Sequence, residues 1–185
     1  MTALDSYPLP ATCDTSLLTF NYTTGAGVVS FSEAGNPVSA GATATLSCLG
    51  DNCAASAVES VCGSIPDFWS VPQLKCQCNC PKFNVAPTYF ITPPFTLVSP
   101  PYLNNLYCTW ELDTNNPVTI TVEYFNTKGD DFVDMYDNRT FHAYAHWSGT
   151  VATGTQVTIP AGSNIAIEYI TDSAVQSDGF ILRFN

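Results

Sequence analysis

Four of the chain's sixteen carboxylates fall in one short stretch, "KGDDFVDMYDNRT", over Lys128–Thr140. Packed that closely, Asp130, Asp131, Asp134 and Asp137 could hold a divalent cation, form an acid pair that moves protons, or stand as solvated turn residues between two strands. Two histidines follow in "FHAYAHW", His142 and His146, at the four-residue spacing of a zinc pair on a helix. Their flanks read as strand and turn, where residues four apart stand about 13 Å from each other, so they read as surface or half-buried histidines. "CQCNC" brings Cys76, Cys78 and Cys80 together, but without the two-residue gaps, the partner pair or the nearby His of a zinc site. No nucleophile motif such as G-x-S-x-G, no phosphate-cradling loop and no pocket of carboxylates with opposed pKa values is legible, and the chain is read as non-enzymatic.

The surroundings decide what the acidic stretch can be. Eight cysteines, at positions 13, 48, 53, 62, 76, 78, 80 and 108, form an even, dense set. That pattern reads as a disulfide framework, which persists in an oxidising compartment. Sequons at Asn21 ("NYT") and Asn138 ("NRT") are competent glycan acceptors in the secretory pathway. The expected location is therefore extracellular. "MTALDSYPLP" has neither a basic nor an apolar leader region, which implies that a signal peptide is removed or lies outside this chain, with Met1 an added start. No apolar run is long enough for a membrane-spanning helix, so a soluble chain without membrane insertion is expected. The formal charge of −11, with only five Lys and Arg spread along the chain, argues against nucleic acid, heparin-like glycans and anionic lipid as partners.

Apolar residues recur with period two. Val118, Ile120, Val122 and Tyr124 share a face in "VTITVEYF", as do Ile165, Ile167 and Tyr169 in "NIAIEYI" and Phe180, Leu182 and Phe184 in "GFILRF". Only "CAASAVESVC", Cys53–Cys62, could hold a helical turn or two. Short alternating segments broken by Gly, Pro and Asn predict an all-β chain built from antiparallel sandwiches. Cysteines crowd the chain up to Cys80, and long alternating strands follow it. The spacing predicts a small disulfide-held module and then a larger sandwich, with the boundary near Gln77–Pro81.

The first half resembles a sushi (complement control protein) module. Cys13, Cys48, Cys62 and Cys76 fit its four cysteines, with "GATATLSC" running into the second and Trp69 between the third and fourth in "CGSIPDFWSVPQLKC". The resemblance implies bonds Cys13–Cys62 and Cys48–Cys76. The second half resembles a CUB domain: "SPPYLNNLYCTWEL", "DDFVDMYDN" and "YITDSAVQSDGFILRF" follow that family's motifs in order over the C-terminal half. Its first disulfide maps to Cys80–Cys108, its second has no cysteines here, and Cys53 and Cys78 remain to pair with each other. The expected fold is an all-β tandem: an N-terminal arm over 1–12, a small disulfide-rich sushi-like module over 13–78, and a CUB-type, jelly-roll-like antiparallel sandwich over 79–185.

Many CUB domains hold calcium at one end of the sandwich, through a Glu and two Asp. The resemblance carries the two aspartates onto Asp131 and Asp172, with Asp130 adjacent, and puts Lys128 at or near the glutamate position. Calcium takes six to eight oxygens, so a lysine there should weaken it badly. Three readings stand: Lys128 substitutes for the ion between Asp131 and Asp172, calcium binds through Asp130, Asp131 and Asp172, or Asp130 and Asp137 are solvated with Lys128 in water. No other cofactor is expected. The resemblance implies a secreted, non-catalytic recognition module that binds a receptor, matrix or cell-surface protein with a basic contact. Its candidate contacts are Lys128, Asp131, Asp134, Asp137 and Asp172, with Tyr144 and Trp147 in a neighbouring loop. Alternatives are the targeting region of a secreted protease and a carbohydrate or gamete-surface adhesion protein.

Overall fold

The computed structural model describes residues 11–21, 27–82, 89–100, 103–174 and 176–185, with the side chains of residues 19–21 outside that description. The arm expected over 1–12 is thus outside the described residues except for Ala11 and Thr12, and so is the side chain of Asn21. Among the described residues, sixteen strands and one short 3-10 turn (Thr15–Leu17) make up the regular structure, in keeping with an all-β chain. No helix among the described residues is long and apolar enough to cross a membrane.

The chain divides into two compact units. The first takes the described residues of Met1–Asn21, Val28–Ser47 and Ala55–Lys75; the second takes those of Tyr22–Gly27, Cys48–Ala54 and Cys76–Asn185. The N-terminal strands are β1 (Thr12–Cys13), β2 (Thr19–Asn21), β3 (Gly27–Phe31), β4 (Val38–Ser39), β5 (Thr43–Cys48), β6 (Cys53–Ala55), β7 (Glu59–Val61) and β8 (Gln73–Cys78). The Cys53–Cys62 segment forms β6 and β7 and not the helical turn its alanines suggested. Helix propensity is a weak prior, and here β-ladder pairing of β7 with β5 overrides it. In the first unit the Cys13–Cys62 disulfide lies beside Trp69, which is buried and donates its ring N–H to the Asp14 carbonyl at 3.1 Å.

The second unit contains β9 (Phe95–Val98), β10 (Tyr107–Asp113), β11 (Val118–Asn126), β12 (Phe132–Asp137), β13 (Ala143–Ser148), β14 (Gln156–Ile159), β15 (Asn164–Ile170) and β16 (Gly179–Phe184). They form two four-stranded sheets, β10-β15-β12-β13 and β14-β11-β16-β9. Their inner faces share one core, in which Trp110, Leu112, Ile165, Ile167, Tyr169, Met135, Ile120, Val122, Phe180, Leu182 and Phe184 have no exposed surface. The period-two sets in β15 and β16 face this core, as their alternation requires. In β11 the alternation breaks. A register shift between Val122 and Tyr124 turns Phe125 inward, stacked on Phe180, and sends Tyr124 to the opposite face, where its hydroxyl donates to Asp178 at 2.7 Å.

Three disulfides belong to this unit, Cys48–Cys76, Cys53–Cys78 and Cys80–Cys108. The segment Cys48–Ala54 runs along β9. Asp51 exchanges backbone and side-chain bonds with Thr96, and the buried Asn52 side chain both donates to the Val98 carbonyl at 2.7 Å and accepts from its N–H at 2.9 Å. Gly50 passes so close to Val98 that an added Cβ would stand 2.6 Å from Val98 Cγ2.

Candidate functional site

At one end of the sandwich the β11–β12 and β15–β16 loops meet. Lys128 Nζ reaches Asp172 Oδ2 at 2.6 Å and Asp130 Oδ2 at 3.5 Å. Asp131 is buried, and its Oδ1 accepts the Asp172 backbone N–H at 2.6 Å, so one carboxylate ties the two loops through the main chain while another ties them through the ammonium. Within the first loop Thr127 Oγ1 donates to the Asp131 carbonyl at 2.7 Å. A third segment joins through Thr171, whose buried hydroxyl accepts from Leu106 N–H and donates to the Leu103 carbonyl, both at 2.8 Å. The Lys128 bond, aided by the Ala174 amide, holds the Asp172 carboxyl below its ordinary 3.8, and Asp172 in turn holds Lys128 above its ordinary 10.5.

This donor set does not fit calcium. An ammonium stands on the oxygens of Asp130 and Asp172 that an ion would need, Asp131 Oδ1 is taken by a backbone amide, and no three acidic, His or Cys side chains among the described residues converge on a point. A cation wanting six to eight oxygens finds a lysine in its place.

The other candidate residues separate into different roles. Asp137 closes β12 ahead of the β12–β13 turn, at the opposite end of that strand from the Lys128 loop and so outside the loop end expected to contain it, and is buried, its Oδ1 accepting the amides of Arg139 and Thr140 at 2.8 Å each; the Thr140 bond chiefly holds its carboxyl below the ordinary 3.8. It shapes the turn and has little surface to offer a partner. Asn138 stands beside it with its amide donating to Asn164 Oδ1 at 2.7 Å. Tyr144 and Trp147, expected in a loop, belong to edge strand β13. Both pack against the core, Trp147 edge-on to Phe125 with ring centroids 6.2 Å apart; three residues apart, they have opposite parity, and the register shift between Met135 and Tyr136 in the β12–β13 pair brings both to the inner side. His142 precedes that strand with its ring edge-on to Tyr144, and His146 pairs with Asp134 at 2.5 Å.

One constellation lies outside everything the sequence singled out. On the outer face of the β10-β15-β12-β13 sheet, Glu168 is only 8% exposed, and its Oε1 accepts the hydroxyls of Tyr107 at 2.9 Å and Tyr136 at 2.8 Å. Burial, and after it the bond to Glu168, pushes both tyrosines above their ordinary 10. No local signal marked it, since Glu168 takes the outward place that the alternation of "NIAIEYI" leaves to a polar residue, and its partners come from 61 and 32 residues away.

A disulfide-held chain whose larger unit is a two-sheet antiparallel sandwich, with the acidic motif segments meeting at one loop end, defines a β-sandwich module of the extracellular type. The chain belongs to the CUB domain family, whose model matches residues 87–184. It is similar to human cubilin, 33% identical over 93 residues, and to pig cubilin, 31% identical over 94; these stretches cover 45% and 46% of this chain and 2% of either cubilin. The chain therefore spans a very small part of the curated relatives it matches. Among solved structures it is similar to the full extracellular region of zebrafish Gpr126/Adgrg6, at 20% identity and a TM-score of 0.44, covering 55% of this chain and 15% of that one.

Proposed function

We propose that the chain is a secreted, non-catalytic recognition tandem, with a sushi-like module over 13–78 and the CUB domain over 79–185, that binds an extracellular protein through the loop end of the sandwich. The first-half assignment is supported by the Cys13–Cys62 and Cys48–Cys76 bonds, with Trp69 buried between the third and fourth of these cysteines, and the second by the family match over residues 87–184. The Lys128–Asp172 contact carries the functional reading, because it closes the two loops with an internal ammonium where the family resemblance implies a calcium ion. A loop end ordered in this way is ready for a partner without calcium. Its exposed charges are Asp130 and the half-buried Lys128 and Asp172, an acidic edge overall that suits a basic contact, while Asp131 holds the loops from inside. Asn21 and Asn138 are the proposed glycan acceptors.

The test is a binding screen of the disulfide-bonded chain against extracellular domains, run with calcium and with chelator. A hit indifferent to chelator and weakened by Lys128→Ala is the expected result. A hit lost in chelator, or a chain whose thermal midpoint calcium raises substantially, overturns the lysine-closed reading.

The same contact has a pH signature. Asp172 has a native pKa below its unfolded value, so its contribution to stability is complete above the unfolded value of 3.8 and is lost as pH falls through the lower native value. Asp172→Asn should therefore lower the urea midpoint at neutral pH, and the gap to the parent should close only below pH 3.8. A gap that persists unchanged in strong acid would mean the residue acts by something other than its charge.

A further inference from the structure

We propose that the Glu168 carboxylate, recessed between Tyr107 and Tyr136 on the outer sheet face, is a seat for a single lysine side chain of the protein partner. The proposal rests on the reading of the chain as a protein-binding module and names the chemistry of one contact within it.

Buried carboxylates are ordinarily paired with a cation. All five Lys and Arg and both His of this chain lie among the described residues, and none comes within ion-pair distance of Glu168. Its partners are two neutral hydroxyls. The strand register aggravates the imbalance. Asp134 stands directly opposite Glu168 across the β12–β15 pair, and like charges in that position repel. Asp134 is answered by His146, on the far side of β12, which leaves the charge of Glu168 uncompensated.

The hydrogen-bond inventory selects the ligand. A carboxylate oxygen has two lone pairs, and both on Oε1 are occupied by the tyrosine hydroxyls, while Oε2 makes no hydrogen bond to the described residues. A guanidinium binds best as a fork across both oxygens, which Oε1 cannot share. An ammonium is a point charge that needs one oxygen, and its four-carbon stem can lie along the rings of Tyr107, which is 40% exposed, and Tyr136. Lysine therefore fits where arginine does not.

The experiment is a titration of the isotope-labelled, disulfide-bonded chain with N-acetyl-lysine methylamide, followed through backbone amide resonances, with the norleucine and arginine analogues in parallel. The lysine analogue should shift the amides around Tyr107, Tyr136 and Glu168, with an affinity weaker than roughly 1 mM, since that value needs about 4 kcal/mol and one ion pair supplies less. Norleucine, with the same stem and no charge, should not. Glu168→Gln keeps an acceptor oxygen for both hydroxyls and should weaken lysine by about tenfold or more. Equal shifts with norleucine, unaltered binding by Glu168→Gln, or a preference for arginine would each overturn the proposal. Shifts confined to Thr127–Asp131 and Asp172 would overturn it too, while leaving the loop-end reading standing.

Discussion

Asn52→Ala should destabilise the sandwich by about 2–5 kcal/mol, since it strands a buried backbone donor and a buried acceptor together and each costs roughly 1–3 kcal/mol when left unmade. The two groups are the N–H and carbonyl of Val98, a residue with no exposed surface whose only described partner on that side is the Asn52 amide. Asn is the residue for the task because one side chain offers a donor and an acceptor in the plane of a peptide group. Asn52→Asp is the informative companion: it keeps the acceptor, loses the donor and sets a charge against the Val98 carbonyl, so it should be at least as damaging. Urea unfolding at neutral pH measures both. A cost below about 0.5 kcal/mol for the alanine variant would show that water replaces the side chain at β9.

Removing the Cys80–Cys108 bond should be comparably severe. The loop it closes has a sequence separation of 28, for which chain entropy gives roughly 3–4 kcal/mol. Cys108 is fully buried in β10, opposite Tyr169 of β15, and this is the one disulfide that reaches into strands β9 to β16. Cys80→Ser with Cys108→Ala removes the bond while leaving an apolar side chain in the core. Its denaturant midpoint should fall with little change in slope; a rise in slope as well would mean that the bond also limits how far the denatured chain expands. The loss should exceed that for any exposed charge at the loop end, because it acts on the denatured chain irrespective of what the native surface does.

How much of this was legible varied with the range of the interaction. The alternation in "NIAIEYI" and "GFILRF" fixes which residues face the core, because strand parity is a local property. The same reading failed at Tyr124, since one extra residue in β11 inverts parity beyond it and nothing in "VTITVEYF" announces a bulge. Helix in "CAASAVESVC" was suggested by alanine and undone by pairing with a strand more than ten residues earlier. At the loop end the position of Lys128 was visible against the family motif, but the burial of Asp131, and of Asp137 at the far end of β12, was not, because it depends on which backbone amides the loops turn toward them. Tyr144 and Trp147 looked like surface anchors until the edge strand turned them inward. The Glu168 pair of hydroxyls was beyond sequence reasoning altogether, as it needs the register of β10 against β15 and of β12 against β15 at once.

The segment that lies along β9 also settles what that flank of the sheet can do in a crowded solution. An outermost strand with free amides and carbonyls is a template on which another chain can polymerise. Here Asp51 and Asn52 occupy those groups at Thr96 and Val98, and the close passage at Gly50 leaves no slot for an incoming backbone. Oxidative folding exposes such flanks before disulfides are complete, so the order of events matters. A chain in which Cys48–Ala54 is still unattached would present β9 bare, and the vulnerability of the protein to fibre-like self-association should be greatest in that interval.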